Sequence, residues 1–251
     1  MLLKRGEINN PATVFRKVAI MNPLISIIMP TYNRAGYIEE ALDSIKKQTF
    51  RDYEIIVVDD GSTDNTKEIL DKYEAIRCIY LEHGGIAAAR NAAVKAAGGK
   101  WIAFLDSDDL WKGDKLQKQI DYLHTHPDCR IVYTKFSNFT EISEDELDER
   151  QKELLQTDDI SWYLPSALVD ARLFDEVGLF DTKWECNEDT EWNFRLKFYK
   201  VNMSHCINEV LYLRRVHLSN ISNARRELYS TDIRDLALEA YRKINRLRKM
   251  S

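Results

Sequence analysis

The chain has 251 residues, of which 44% are apolar and 31% charged, enough for one sizeable α/β domain with or without an appendage. The net charge of −5 and the pI near 5.7 argue against nucleic acid as the main partner, because binding phosphates requires a basic surface. Four cysteines, at positions 78, 129, 186 and 206, form no C-x-x-C pair, and we expect reduced, mostly buried thiols in a cytoplasmic protein.

The first 22 residues carry no secretory signal. The apolar stretch "KVAIMNPLISIIMP" is interrupted at Asn22-Pro23, and each of its apolar parts is too short to span a bilayer. Met21 opens a segment that is typical of a domain start. We therefore treat residues 1–22 as an N-terminal extension without an assigned function.

From residue 23 onward, short apolar runs alternate with helical patterns. The predicted strands are 24–30, 54–60, 76–82 and 100–106, and the predicted helices are 35–48, 64–73 and 84–99. Alternation with nearly continuous apolar strands predicts an α/β fold with a doubly wound, mostly parallel sheet.

Polar clusters follow three of these strands: "PTYNR" (30–34), "DDGSTD" (59–64) and "DSDD" (106–109). Ligands of such sheets bind beyond the carboxyl ends of the strands, so these clusters should converge. In "FLDSDDLW" three carboxylates fall within four residues, and their mutual repulsion costs free energy. A solvated turn would tolerate this crowding, and a divalent metal would require it.

In this order, "PLISIIMPTYNR", "EIIVVDDGSTD", "GGIAAARNAA" and "WIAFLDSDD" resemble the nucleotide-binding half of the family 2 inverting glycosyltransferases. The later "ALVDARLFDEVGLFD" and "ECNEDTEWNFRL" are similar to the acceptor half of that family. The resemblance implies a fold of the nucleotide-diphospho-sugar transferase type over residues 23–222. Residues 23–115 would then be the nucleotide-binding half and 116–222 the acceptor half, followed by a C-terminal amphipathic helix over 223–251.

By this resemblance the protein transfers a sugar from a UDP-sugar or dTDP-sugar to a hydroxyl of a glycan or lipid-linked acceptor, in polysaccharide, glycolipid or glycoconjugate synthesis. Two alternatives stay open. A phosphatase of the haloacid-dehalogenase type also places D-x-D after an apolar strand, although it would leave "PTYNR" unexplained. A catalytically silent nucleotide-sugar-binding subunit is the other alternative.

The resemblance assigns the nucleotide to residues at the first strand ends. Tyr32 would stack on the base, and Asp60 would accept a hydrogen bond from uracil N3–H. Pro30 and Thr31 would shape the same floor. Arg90 would lie close to both the acidic loop and the carboxylate of Asp60.

The D-x-D pattern of the family falls on Asp106, Ser107 and Asp108. Asp106 and Ser107 would contact the nucleotide on its ribose side, and Asp108 would bind Mn²⁺ or Mg²⁺ on the diphosphate. His217, in "RRVHLSN", would be a further metal ligand. Asp109 would be a supporting or turn residue.

The catalytic base implied by the resemblance is Asp189, in the pair Glu188-Asp189. If Asp189 begins a helix, the helix dipole would keep its carboxylate ionised. Trp162 and Tyr163 would either face an acceptor sugar or belong to the core. For the C-terminal helix, the alternatives are docking on the domain, docking on a second subunit of a homo-oligomer, or peripheral contact with an anionic membrane.

Overall fold

A computed structural model describes residues 23–156, 162–184, 186–218 and 233–247 of the protein. Strands and helices alternate through the first half as the apolar pattern predicts. Their bounds are β1 Ile25–Thr31, α1 Ile38–Lys46, β2 Tyr53–Asp59, α2 Thr66–Leu70, β3 Arg77–Tyr80, α3 Ile86–Ala96 and β4 Trp101–Phe104.

The second half begins with a two-residue strand directly after the acidic loop. Its elements are β5 Leu110–Trp111, α4 Lys115–Thr125, β6 Ile131–Phe139, α5 Glu149–Leu155, β7 Leu168–Asp170, α6 Arg172–Glu176, α7 Glu188–Phe198, β8 Cys206–Arg215 and α8 Ile233–Leu247. Short 3₁₀ turns lie at Glu144–Glu146 and Leu164–Ser166.

All eight described strands belong to one mixed sheet, in the order β3-β2-β1-β4-β7-β6-β8-β5. The pairings among β1, β2, β3 and β4 are parallel, as is β6 with β8, whereas β7 and β5 run antiparallel to their neighbours. This architecture confirms the predicted fold class. It also brings the ends of β1, β2 and β4 to one edge of the sheet.

The central strands are buried on both faces. Along β1, Ile27 and Met29 belong to the core cluster that contains the buried side chains of α1, while Ile28 belongs to a second cluster that contains those of α3 and α7. This two-sided burial explains why β1 reads as a continuous apolar run. Each fully buried aliphatic side chain contributes about 1.5–3 kcal/mol to folding, so the sheet is a rigid base for the loops at its edge.

Helix α8 packs against α7 within the same chain. Leu236, Ala240 and Ile244 are buried on one face of α8, and Tyr241 contacts the ring of Phe198. Ion pairs from Lys183 to Glu239 (3.0 Å) and from Lys243 to Asp181 (3.4 Å) reinforce the contact. Among the alternatives for the C-terminal helix, docking on the domain is therefore the arrangement observed.

Several predictions lie partly or wholly outside the described residues. These are the N-terminal extension 1–22 and the tail around the α8 helix, from 223 to 232 and from 248 to 251. Within the residues that are described, none of the helices has both the length and the apolar character needed to cross a membrane. All four cysteines are described as thiols outside any disulfide, and three of them are buried, as predicted.

Candidate functional site

The loops after β1 and β2 are hydrogen-bonded to each other. The side chain of Asn33 accepts hydrogen bonds from the N–H of Thr63 (2.7 Å) and of Asp64 (3.3 Å). In return, the carboxylate of Asp64 accepts one from the N–H of Ala35 at 3.1 Å. Two segments about 30 residues apart in the chain thereby form one rigid floor at the sheet edge.

Asp60 lies in this floor and is only 3% exposed. Its two carboxylate oxygens accept hydrogen bonds from the N–H groups of Gly84 (2.9 Å) and Gly85 (2.8 Å). Gly85 has φ +87°, a conformation that favours glycine, so the "GG" before α3 shapes the cradle around the carboxylate. Next to it, the buried hydroxyl of Thr31 has no hydrogen-bond partner among the described residues. Pro30 is buried within β1.

His83 belongs to this floor, and sequence reasoning missed it. Its ring stacks on the ring of Tyr32, with centroids 4.2 Å apart and planes 22° apart. Its Nδ1 is 2.9 Å from a carboxylate oxygen of Asp60. No local signal marked it, because the contact of its neighbours Gly84 and Gly85 with Asp60 exists only in the folded chain.

Arg90 joins the acidic loop to the start of α7. It is 2% exposed, and it donates to Asp106 at 2.9 Å and to Glu188 at 2.5 Å. Its expected position next to Asp106 is observed, whereas its second carboxylate partner is Glu188, in place of the expected Asp60. Burial raises the pKa of Glu188 to about 7, although Arg90 opposes this effect.

Asp108 and His217 lie together, as the predicted metal ligands should. The same oxygen, Oδ2 of Asp108, is 3.2 Å from Nε2 of His217 and 2.9 Å from Nε of Arg34. Burial raises the pKa of Asp108, but His217 and Arg34 outweigh it and hold the pKa below its ordinary value. Ser107 is buried between the two aspartates of the motif.

This donor set fits a divalent ion that takes its remaining ligands from a diphosphate. A carboxylate oxygen and an imidazole nitrogen suit Mn²⁺ or Mg²⁺, which usually keep only one or two protein carboxylates when phosphates are bound. Within the described ranges, no group of three or more His, Cys, Asp or Glu side chains is arranged to hold a metal without such help.

Asp109 holds the acidic loop from below. It is buried and accepts hydrogen bonds from the hydroxyl of Tyr212 (2.6 Å) and the N–H of Arg215 (2.7 Å), both on β8. Burial and the neighbouring aspartates raise its pKa well above the ordinary value. Arg215 also donates to the carbonyl of Asp108 (2.8 Å) and to Glu40 on α1 (2.6 Å), which fixes the backbone of the loop.

Asp189 lies in the first turn of α7, which begins at Glu188. Asn187, with φ +64°, turns the chain into the helix, and Asp189 accepts a hydrogen bond from the N–H of Thr190 at 2.7 Å. Burial has the largest effect on the pKa of Arg90 and on that of Asp106, and the negative charge of Asp189 raises both, so its carboxylate lies near the two side chains. The predicted helix start is therefore observed, and it points toward the acidic loop.

Trp162 and Tyr163 differ in their burial. Tyr163 packs on Phe136, with ring centroids 4.7 Å apart, and joins the core. Trp162 is 43% exposed, and its carbonyl accepts a hydrogen bond from Asn193 (2.8 Å), one turn after Asp189 on α7. The Nζ of Lys197 lies 4.3 Å from the centroid of its ring.

Comparison with known proteins gives a consistent result. The family model for glycosyl transferase family 2 matches residues 26–176. The putative teichuronic acid biosynthesis glycosyltransferase TuaG of Bacillus subtilis is 45% identical over 120 residues, covering 46% of this chain and 47% of TuaG. The uncharacterized glycosyltransferase RP339 of Rickettsia prowazekii is 36% identical over 223 residues, covering 82% of this chain and 68% of RP339.

Among solved structures, the crystal structure of S. aureus TarS 1–349 in complex with UDP superposes with a TM-score of 0.66 at 25% identity. The match covers 88% of this chain and 65% of that one. The chain thus spans about half of the length of TuaG and about two thirds of the other two proteins.

Proposed function

Since the chain belongs to glycosyl transferase family 2, we propose that it transfers a sugar from a UDP-sugar or dTDP-sugar to an acceptor hydroxyl with inversion at the anomeric carbon. One observation carries the proposal: a single buried guanidinium, that of Arg90, joins Asp106 of the D-x-D loop to Glu188, the neighbour of Asp189. Donor-binding and proton-accepting groups are thereby held in one site. Family membership also removes the phosphatase alternative.

The nucleotide would bind at the floor formed by Tyr32 and Asp60. A carboxylate that already accepts two backbone N–H groups keeps lone pairs for the N3–H of uracil or thymine, whereas guanine and adenine would pair differently with it. Pro30 would line this floor, and the hydroxyl of Thr31, which has no partner among the described residues, would supply a further donor or acceptor. The neighbour TarS binds UDP, which supports the choice of a uridine donor.

Asp108 and His217 would hold a Mn²⁺ or Mg²⁺ ion, and Asp106 and Ser107 would contact the donor beside it. When bound, such an ion stabilises the negative charge that builds on a departing diphosphate. Arg34, on the same oxygen of Asp108, adds a fixed positive charge to this side of the site.

Asp189 would act as the general base. The acceptor oxygen attacks the anomeric carbon while its proton passes to the carboxylate of Asp189, and the bond from that carbon to the diphosphate oxygen breaks. A single displacement inverts the anomeric configuration. Arg90 orders the two sides of this reaction because it holds Asp106 and Glu188 in fixed positions.

For the acceptor we propose a glycan or a lipid-linked glycan of a surface polysaccharide. The support is the likeness to TuaG, whose name places it in teichuronic acid biosynthesis. The exposed ring of Trp162 lies against Lys197 on α7, the helix whose first turn holds Asp189, and is a suitable surface for a sugar ring.

The test is a panel of nucleotide sugars with Mn²⁺ and small glycan acceptors, with release of the nucleoside diphosphate as the readout. We expect turnover with UDP-sugars or dTDP-sugars and a product of inverted configuration by NMR. Turnover with GDP-sugars alone, or retention of configuration, would refute the proposal. Binding of UDP-sugars without any transfer or hydrolysis would favour the silent-subunit alternative.

A further inference from the structure

His83 makes both of the contacts that the proposed function assigns to the base of the donor. Its flat ring is stacked on Tyr32, and its Nδ1 is 2.9 Å from Oδ2 of Asp60. A uracil ring on the same floor would stack on Tyr32 and donate N3–H to Asp60. The imidazole therefore presents the same two recognition elements as the base, a π-face and a ring N–H.

The two rings cannot use this floor at the same time. A third ring does not fit between rings whose centroids are 4.2 Å apart, so a base that stacks on this face of Tyr32 must displace the imidazole. The backbone of His83 cannot yield easily, because it packs against Gly61, where an added Cβ would lie 2.9 Å from the nitrogen of His83. The side chain can rotate, since it is 45% exposed.

We propose that His83 is an affinity-determining residue of the nucleotide site: its side chain occupies the base position and must rotate outward when the donor binds. The proposal rests on the proposed function for the identity of the base. Competition of this kind lowers the apparent affinity in proportion to the fraction of molecules in which the floor is open. This reduction is the same for every ligand that needs the open floor, so His83 sets how tightly a base binds and does not change which base is preferred.

The experiment is calorimetric titration of UDP, in the presence of Mg²⁺, into the unaltered protein and into His83→Ala. Removal of the competing ring should tighten UDP binding about 3- to 10-fold, the value of one aromatic pair. His124→Ala is the matched control, because it removes an exposed imidazole in the last turn of α4 and should leave the affinity unchanged.

A second readout follows the imidazole directly. In proton NMR, the His83 Cε1–H resonance, assigned by its loss in His83→Ala, should be shifted by the ring current of Tyr32. UDP with Mg²⁺ should move it toward the position of an exposed histidine. A resonance that keeps its position when UDP binds would overturn the proposal.

The outcomes separate this inference from the proposed function. If the unaltered protein binds UDP, but His83→Ala binds it equally well or more weakly, then His83 is not a competitor and this inference alone fails. If neither protein binds UDP, the donor class is wrong, and the inference fails with it.

Discussion

Lys115, the first residue of α4, is fully buried without a carboxylate partner in the contacts described for it. Its ammonium group donates to Gln119 at 2.9 Å and lies 4.4 Å from the centroid of the Trp111 ring. Burial lowers its pKa from 10.5 to about 7. We expect Lys115→Met, which keeps most of the side-chain volume and removes the charge, to change how the free energy of unfolding depends on pH.

The magnitude follows from the two pKa values. The difference between 10.5 and about 7 corresponds, at 1.36 kcal/mol per pKa unit, to about 5 kcal/mol. The free energy of unfolding is lowered by this amount when the lysine is charged in both the folded and the unfolded chain. Between these pKa values the unfolded chain binds the proton and the folded chain does not. The native protein therefore gains stability as the pH rises from 7 toward 10.5, and it carries the full penalty below 7.

Lys115→Met removes this penalty but leaves the oxygen of Gln119 without its donor, at a cost of about 1–3 kcal/mol. We expect the free energy of unfolding of the variant to exceed that of the unaltered protein by about 1–3 kcal/mol at pH 7. Between pH 7 and about pH 9.5 this difference should fall by about 3 kcal/mol, because the unaltered protein gains stability over that range. Urea unfolding followed by circular dichroism at several pH values measures this difference.

Lys118→Met, on the same helix, is the control. Lys118 forms surface ion pairs with Asp114 and Glu209, which contribute little to stability, so its removal should give a small difference that varies little over this pH range. A difference between Lys115→Met and the unaltered protein that does not change with pH would refute the reasoning, because it would mean that Lys115 titrates as an exposed lysine.

Three further predictions concern the site. Asp189→Asn should lower turnover by roughly two to four powers of ten, the scale of general-base loss, while calorimetry shows nearly unchanged donor binding; near-normal transfer would exclude Asp189 as the base. Asp60→Ala should erase most of the preference for UDP over GDP in competitive titrations, and a preserved preference would place the base elsewhere. Asp108→Asn should abolish metal-dependent UDP binding with little change in Tm. Asp109→Asn should instead lower Tm by several degrees, because it weakens the contacts with Tyr212 and Arg215, and it should leave the effect of the metal on UDP binding intact. Equal effects of the two substitutions would show that the metal ligand is wrongly assigned.

The parts of the fold that the sequence predicts are those encoded by neighbouring residues. Continuous apolar runs such as 24–30 mark strands buried on both faces, and parallel strands necessarily bring "PTYNR", "DDGSTD" and "DSDD" to one edge. Local pattern was therefore sufficient to place these three clusters at one edge, whereas the roles of their residues came from family resemblance. The pairing of Asp108 with His217 followed from family resemblance, since 109 residues separate them.

The rest depends on contacts that no local pattern encodes. Arg90 meets Glu188 across 98 positions of the chain, and Arg215 supports Asp108 across 107. The stacking of His83 on Tyr32 likewise requires the actual positions of two loops. An isolated histidine before "GG" has no periodicity, so only the three-dimensional arrangement distinguishes it from a surface residue.

The placement of β5 at the far edge of the sheet, beside β8, limits how this chain can be recombined. Leu110 and Trp111 follow the acidic loop directly, and they pair with Leu213 and Tyr212 on β8. The loop that would bind the donor therefore takes its shape from β8, the last of the described strands along the chain. A chimera that took residues 116–222 from a relative without matching these β8 positions should lose the shape of this loop as well. Because we propose that Trp162 contacts the acceptor, substitution of surface positions such as this one should change the acceptor preference with less disturbance than exchange of residues 116–222 as a block.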